Sequence, residues 1–254
     1  MATYQKRGQK RSNKANSNQN RLESSATAEV FETLDSTASK TESVVARYQN
    51  HILVLVGAVV TITLGYLGYE KFINEPRANE AISELNQAQY YFEIALNSSN
   101  SDSLYKRALN GGEGRYGFLD IIDNYSGTPA SKLATFSAGM SYLNIKDYQN
   151  AIKYLDQFDS DDIMLSALAK GAIGDAFAEL GQNQDAFDYY IKAFKSSNNS
   201  YSTPKYLYKA GMMGAVIGKK SKAIEFFKRI KQEFPEVSEA KLVDVQIGRL
   251  ENTN

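Results

Sequence analysis

The chain of 254 residues is long enough for one domain or a short array of repeats, and its 29 basic and 29 acidic side chains balance, which does not indicate a nucleic-acid-binding protein. It contains no cysteine, which excludes disulfides, thiolate chemistry, cysteine-bound zinc and a lipid anchor on a cysteine. His51 is the only histidine, so a histidine-based catalytic triad and a metal site with several histidines are excluded within one chain. Most classes of enzyme are thereby excluded before any motif is considered, and, with the motifs weighed below, we expect a protein that is not an enzyme and needs no cofactor or metal.

Residues 1–26 are predicted to form a disordered basic tail. The first 22 residues carry six basic side chains, no acidic one and almost no large apolar side chain, so they bury too little surface to offset the entropy lost on ordering. Such a tail could contact RNA, the ribosome or anionic lipid headgroups, or it could be a solvated segment that only sets topology. No aromatic residues are interleaved for base stacking, which favours the second reading.

Residues 27–50 are predicted to form an amphipathic juxtamembrane helix. Their apolar side chains recur three, four or seven positions apart, which is one stripe of a helix. Thr27 precedes this stretch as a possible N-cap, and the stretch could lie on the membrane surface or simply continue into the next one. The stripe consists of Phe31, Leu34, Ala38, Val45 and Tyr48.

Residues 51–72 are predicted to be a transmembrane signal-anchor helix. The eighteen positions 52–69 carry no charge and would span about 27 Å as a helix, close to the roughly 30 Å hydrocarbon layer of a bilayer. Tyr48, Tyr66, Tyr69 and Lys71 lie where interfacial anchors are expected. The segment begins too late for an ordinary cleaved signal peptide, and no small-residue cleavage site follows it.

The charges on either side of the span predict its orientation. Residues 1–50 hold eight Lys and Arg against five acidic residues, whereas residues 70–85 supply only Lys71 and Arg77. The positive-inside rule therefore places the N-terminus in the cytoplasm and the C-terminal part outside it.

Residues 73–77 are predicted to be a linker, followed by an irregular first helical hairpin at 78–131. Residues 78–96 have the periodicity of a long amphipathic helix, and the segment 117–124 is a second apolar stretch. The glycine-rich run at 110–114 and the Gly-Thr-Pro break at 127–129 interrupt the pattern. The apolar face of the first helix consists of Ala81, Leu85, Ala88, Phe92 and Ala95.

Residues 132–235 contain three segments that can be aligned with one another. In each segment a glycine is followed twelve residues later by an alanine, and four residues after that by a leucine or an aromatic residue. Glycines and alanines both recur at 35 and then 37 residues, and Pro235 closes the third segment. The aligned positions are Gly139, Ala151 and Leu155; Gly174, Ala186 and Tyr190; and Gly211, Ala223 and Phe227.

This pattern resembles the tetratricopeptide repeat (TPR), a helix-turn-helix unit of about 34 residues. The resemblance implies an all-α helical-hairpin solenoid of three clear units behind one transmembrane helix, with the small residues allowing close backbone approach. The tryptophan of the repeat is absent throughout, and Gly214 replaces the tyrosine of the third unit. Residues 236–254, apolar in helical phase at Val237, Ala240, Val243, Ile247 and Leu250, are predicted to form a cap helix and tail.

The whole layout is similar to bacterial single-pass TPR proteins of the YfgM-like kind, which associate with the SecYEG translocon. The resemblance covers roughly residues 27–250 and is strongest at the span with its linker and at GFLDIIDNYSGTPASKLATFSAGMSYL. It implies a protein of the bacterial inner membrane with its repeats in the periplasm. It also implies an adaptor that receives or escorts exported chains, with translocon subunits, exported proteins or chaperones as partners and no nucleic acid.

Three other kinds of site are weighed against packing and solvation. The glycines at 171, 174 and 181 match no phosphate-loop motif and follow no strand, so helix packing is favoured. Asp159, Asp161 and Asp162 lack the glycine and distal glutamate of a calcium loop, which favours a solvated turn. Asp120 and Asp123 lie one helical turn apart and suit the polar face of a helix better than acid-base catalysis.

The remaining candidate is a groove for protein partners on the first helices of the repeats. Phe136 and Tyr208 could equally belong to the core. A clamp for a C-terminal carboxylate, as in some TPR domains, is not expected, because only the third unit, with Lys205 and Lys209, matches its pattern. The predicted groove residues are Phe136, Met140, Asn144, Asp175, Glu179, Tyr208 and Met212, with Ala215 beside them.

The sequence thus predicts a non-enzymatic membrane-tethered adaptor that passes exported proteins from the Sec translocon to periplasmic chaperones. One alternative is a scaffold for envelope assembly, such as cytochrome c maturation or cell-division coordination. A more distant alternative is an enzyme that uses carboxylates alone.

Overall fold

The computed structural model describes residues 19–98 and 101–252. The chain divides into two compact units after Tyr69. The described part of the first unit is a single helix, α1 (Gln19–Tyr69), so residues 19–26 of the predicted disordered tail are helical. Residues 1–18 of that tail lie outside the described residues.

The apolar part of α1 is exposed in the described part of the chain. Among the described residues, one helical stretch, Val45–Leu96, contains an eighteen-residue window with a mean hydropathy of 2.1, and none of that window is buried. The Thr61 and Thr63 hydroxyls within it donate to the Gly57 and Val59 carbonyls at 2.8 Å, so these two hydroxyls have partners inside the helix. The stretch is long and apolar enough to cross a membrane.

The second unit begins with a π-helical turn (Glu70–Asn74) and continues through ten α-helices in the described part of the chain. Apart from one isolated bridge between Gly112 and Arg115, the described residues show no β-structure. The helices are α2 (Glu75–Leu96), α3 (Asp102–Asn110), α4 (Phe118–Asn124), α5 (Pro129–Asn144), α6 (Tyr148–Gln157), α7 (Ile163–Glu179), α8 (Asn183–Ser196), α9 (Thr203–Val216), α10 (Lys220–Glu233) and α11 (Ala240–Asn252).

The linker expected at residues 73–77 is helical instead. These residues end the π-helical turn and begin α2, and Pro76 occupies the first turn of α2. A proline there removes an N–H that has no partner within the helix, so it starts the helix rather than breaking it. Pro76 therefore marks the start of α2 and not a linker.

Helices α5 to α11 stack in chain order. Helix α5 packs against α6, α7 against α8 and α9 against α10, and each pair also packs against the next, with α11 closing on α10. The fold class predicted from the sequence, an all-α solenoid of helical hairpins, is confirmed. Residues 78–131 hold three helices rather than a simple hairpin, because α3 intervenes between α2 and α4, and α2, α3 and α4 all pack on α5 or on one another.

Local signals define where the repeat helices start. The Thr128 hydroxyl caps α5 by accepting a hydrogen bond from the Ser131 N–H. The Asp147 carboxylate caps α6 by accepting one from the Asn150 N–H. Asp162, weighed as a calcium ligand, caps α7 by accepting from the N–H groups of Met164 and Leu165. Asp120 accepts from the Gly117 N–H at the start of α4.

Within each hairpin the two helices touch at the repeated glycine. A Cβ added at Gly139 would lie 2.5 Å from Leu155 Cγ, one at Gly174 2.7 Å from Tyr190 Cδ1, and one at Gly211 2.5 Å from Phe227 Cε1. The nearest neighbour of each glycine is therefore the large residue four positions after the repeated alanine, not the alanine itself. The alanines Ala151, Ala186 and Ala223 are fully buried beside these contacts.

A local contact and a turn explain why the other two positions of the 171–181 segment are glycine. A Cβ at Gly171 would lie 2.0 Å from Tyr206 Cε1, so its absence lets the Tyr206 ring lie on α7. Gly181 ends the hairpin turn with a φ of 73°, in the left-handed region that glycine adopts without a steric penalty. At Gly214, where the repeat usually has a tyrosine, the buried Phe187 ring of the preceding unit lies close by.

Replacing Gly211 by alanine should destabilise the array, because the new Cβ would clash with the fully buried Phe227 ring. Overpacking of this kind costs about 1–3 kcal/mol. Urea unfolding of the full chain in neutral detergent, followed by circular dichroism, measures the loss. Gly248→Ala is the matched control: no atom lies within 4 Å of its added Cβ, so better helix propensity should stabilise α11 by about 0.5–1 kcal/mol. Equal effects of the two substitutions would contradict this account.

Candidate functional site

All three repeat hairpins contribute to one open cleft of about 470 Å³. The first hairpin supplies the end of α5, the turn after it and the start of α6. The second supplies the last turns of α7 and one residue of α8, and the third supplies one residue of α9. The lining residues are Leu143, Asn144, Lys146, Tyr148, Asp175, Ala178, Glu179, Tyr190 and Lys209.

The polar centre of the cleft is the carboxylate of Asp175. Lys209 Nζ lies 2.6 Å from its Oδ1 and 2.8 Å from its Oδ2, and the Tyr190 hydroxyl donates to Oδ1 at 2.7 Å. The side chains of Asp175 and Lys209 are each about one-third exposed, at 33% and 32%. One carboxylate on α7 thereby binds to side chains of both α8 and α9, and its charge is balanced within the protein.

Two stacked tyrosines extend from this centre into the core. The rings of Tyr190 and Tyr206 lie 6.4 Å apart at an interplanar angle of 16°, and both are nearly fully buried. Burial raises the pKa of the Tyr190 phenol far above its ordinary value of 10.0, and the charge of Asp175 raises it further. Burial and Asp175 raise the pKa of Tyr206 in the same direction. Both phenols therefore stay neutral, and Tyr190 is held as a hydrogen-bond donor.

The rim of the cleft carries charged groups that are more exposed. Glu179, the last residue of α7, is exposed and accepts a hydrogen bond of 3.2 Å from the Tyr148 hydroxyl. Lys146, in the turn between α5 and α6, is also exposed and has a φ of 65°. The Asn144 amide donates to the Met140 carbonyl at 2.8 Å.

Three of the seven predicted groove residues line this cleft: Asn144, Asp175 and Glu179. The other four are half-buried and pack into the apolar core. Phe136 and Met140 pack on the cluster around Leu155 and Ile173, with the Phe136 ring 5.2 Å from that of Phe158. Tyr208 and Met212 pack on the cluster of the last two hairpins, with the Tyr208 ring 5.7 Å from that of Phe227.

The predicted groove was acidic and apolar, whereas the observed cleft is polar with balanced charges. The sequence prediction did not include Lys146 or Tyr148, read Tyr190 only as a packing residue, and weighed Lys209 only as part of an unlikely carboxylate clamp. The sequence does contain a signal for Lys146. Lys146, Gly181 and Gly218 are separated by 35 and 37 residues, which is the spacing of the three repeats. One hairpin turn of the three thus has a lysine where the others have glycine.

The arrangement does not resemble a catalytic centre. Asp175 is held by Lys209 and Tyr190, and Glu179 is exposed, so the two carboxylates of the cleft do not form a buried pair. Among the described residues, no group of three or more His, Asp and Glu side chains is placed to hold a metal ion. What the cleft offers chemically is hydrogen-bonding and charged side chains.

Comparison with known proteins identifies one of the hairpins. Residues 134–161 match the profile of the tetratricopeptide repeat family, and they contain most of α5 and all of α6. The crystal structure of MamA is similar to part of the chain, with 26% sequence identity, a TM-score of 0.41, and coverage of 52% of this chain and 76% of MamA. No curated protein sequence is significantly similar to this chain.

Tyr190→Phe should make the protein less sensitive to alkaline pH. The folded state keeps the Tyr190 proton because its pKa is raised, whereas the unfolded chain releases it near pH 10.0. The stabilisation from Tyr190 is therefore complete below pH 10 and is lost as the pH rises above it, at about 1.4 kcal/mol per pH unit.

Unfolding free energies of both proteins from pH 7 to pH 11.5 measure this effect. At pH 7 the variant should be less stable by about 1 kcal/mol, because the hydrogen bond to Asp175 is lost. Above pH 10 the two curves should converge and then cross before pH 11.5, because the natural protein loses about 1.4 kcal/mol per pH unit that the variant does not lose. If the two curves stay parallel over the whole range, Tyr190 does not cause the loss of stability at alkaline pH.

Proposed function

We propose that this protein is a membrane-tethered, non-enzymatic adaptor that binds protein partners in the cleft of its helical array. The observation that carries the proposal is the open cleft at the junction of three hairpins, lined by hydrogen-bonding and charged side chains without a catalytic arrangement. Stacked helical hairpins commonly present such surfaces to peptides or helices of other proteins. The tetratricopeptide repeat at 134–161 supports the same reading.

The tether we propose is the segment 52–69 of α1. Its apolar side chains are exposed on all sides in the protein, which is unfavourable in water and favourable in a bilayer. The excess of Lys and Arg before this segment supports a cytoplasmic N-terminus and an array on the other side of the membrane. We place the protein in the bacterial inner membrane with its array in the periplasm.

The partners we propose are subunits of the Sec translocon, the exported chains that emerge from it, and periplasmic chaperones. The support is the resemblance of the layout, from the anchor to the repeats, to YfgM-like proteins. A scaffold for envelope assembly would use the same cleft for other partners, so identifying the bound proteins separates the two functions.

The proposed topology can be tested with single cysteines, because the natural chain has none. A membrane-impermeant maleimide should label Ser221→Cys, at an exposed position of α10, in intact spheroplasts. Ser12→Cys, in the basic tail, should react only after the membrane is permeabilised. The reverse labelling pattern would refute the orientation, and labelling of both sites in intact spheroplasts would refute the membrane span.

The partner proposal can be tested by photo-crosslinking in cells. A photoreactive phenylalanine derivative at Asn144, which is exposed on the cleft, should crosslink to translocon subunits, exported chains or periplasmic chaperones. The same group at Glu225, exposed on α10 and outside the cleft lining, is the control. Crosslinks to envelope-assembly proteins would replace the Sec assignment. Equal crosslinking from both positions would refute the cleft as the docking site.

A further inference from the structure

The three hairpin turns share one backbone geometry. In each turn a residue with positive φ follows the first helix: Lys146 at 65°, Gly181 at 73° and Gly218 at 77°. The next N–H donates to a carbonyl five residues earlier, from Asp147 to Tyr142, from Gln182 to Phe177 and from Lys219 to Gly214. This is a Schellman motif, in which glycine is preferred at the left-handed position because a Cβ is strained there.

Lys146 is therefore an unfavourable residue for its own turn. Its side chain lines the cleft and is exposed, and within residues 19–98 and 101–252 its ammonium group takes part in no hydrogen bond or ion pair. A lysine that strains the backbone and has no partner in the fold indicates a role outside folding, since strain of this kind is concentrated at functional sites.

Glu179 is unfavourable for its helix in a different way. It is the last residue of α7, where its negative charge meets the negative end of the helix dipole. Its described partner is the neutral Tyr148 hydroxyl, not a cation. The other two units have the uncharged Asn144 and Val216 at the corresponding position.

These two locally unfavourable residues line the same cleft and carry opposite charges. The Asp175–Lys209 pair is already neutralised by its own contacts, so Lys146 and Glu179 are the charges left for a ligand. A ligand of a single sign would be attracted by one of them and repelled by the other. A ligand with one negative and one positive group would pair with both.

We propose that Lys146 and Glu179 are the two charged anchors of the cleft, and that they bind a peptide segment carrying one acidic and one basic side chain. The acidic side chain pairs with Lys146 and the basic one with Glu179. This inference rests on the proposed function as a peptide-binding adaptor and specifies its ligand class.

The probe is a library of random dodecapeptides displayed on phage and selected on the full-length protein in nanodiscs of a zwitterionic lipid. Empty nanodiscs remove background binders. Enriched peptides should contain an acidic and a basic residue together more often than the starting library. Enrichment of purely acidic, purely basic or uncharged peptides would overturn the ligand class while leaving the adaptor function standing. The absence of any enrichment would count against both.

The most enriched peptide then serves for binding measurements by fluorescence polarisation. Lys146→Gly and Glu179→Gln should each weaken binding by about twofold to fivefold, as expected for an exposed charge pair. Replacing the acidic residue of the peptide by its amide should weaken binding to the natural protein but have no further effect on Lys146→Gly. Additive losses would overturn the assigned pairing. Lys222→Gln removes a lysine outside the cleft lining and should leave the affinity unchanged.

The thermal stability of Lys146→Gly separates a ligand anchor from a residue that only supports the fold. For a ligand anchor, Lys146→Gly should raise the midpoint of thermal unfolding by about 1–4 °C, because glycine relieves the left-handed strain, while it lowers peptide affinity. A lower midpoint would show that the lysine supports the fold, and unchanged affinity would show that it does not contact the ligand. Either result would overturn the proposal.

Discussion

The close approach of two helices at a glycine is the constraint on which the array depends. At Gly139, Gly174 and Gly211 the space of a missing side chain is filled by a large residue of the partner helix. The contact fixes both the spacing and the register of each hairpin, because the side chain of the partner helix fits into the space above the glycine. The three side chains are Leu155, Tyr190 and Phe227. Repeating it at nearly constant spacing gives hairpins of similar shape, which can stack on one another and bury a continuous core.

The second unit differs from its neighbours because the residue that fills this space is a tyrosine. Its ring makes the packing contact with Gly174, and its hydroxyl reaches the Asp175 carboxylate next to that glycine in α7. Lys209 reaches the same carboxylate from the third unit. A packing contact is thereby connected to the polar centre of the cleft.

The repeat spacing was enough to predict the fold class, because glycine, alanine and a large residue at constant intervals satisfy a helix-packing requirement that is local to each hairpin. It was less informative about the cleft. Asn144, Asp175 and Glu179 were predicted because they lie on the first helices, but Phe136, Met140, Tyr208 and Met212 lie on them too and pack into the core. Which side of a first helix is covered depends on how successive hairpins stack, and that stacking leaves no periodic mark on the sequence. For the same reason the contact between Asp175 and Lys209, 34 residues apart, was not foreseen.

The cleft has a consequence for the modularity of the array. Each hairpin has its own internal glycine contact, and neighbouring hairpins also pack on one another, as the Tyr206 ring does at Gly171. The cleft, in contrast, takes a turn from the first unit, a helix end and a tyrosine from the second, and a lysine from the third. Exchanging two hairpins would separate the residues that line the cleft. The cleft therefore depends on the order of the units rather than on any one of them, and a single repeat cut from this chain would carry the fold signature without the cleft.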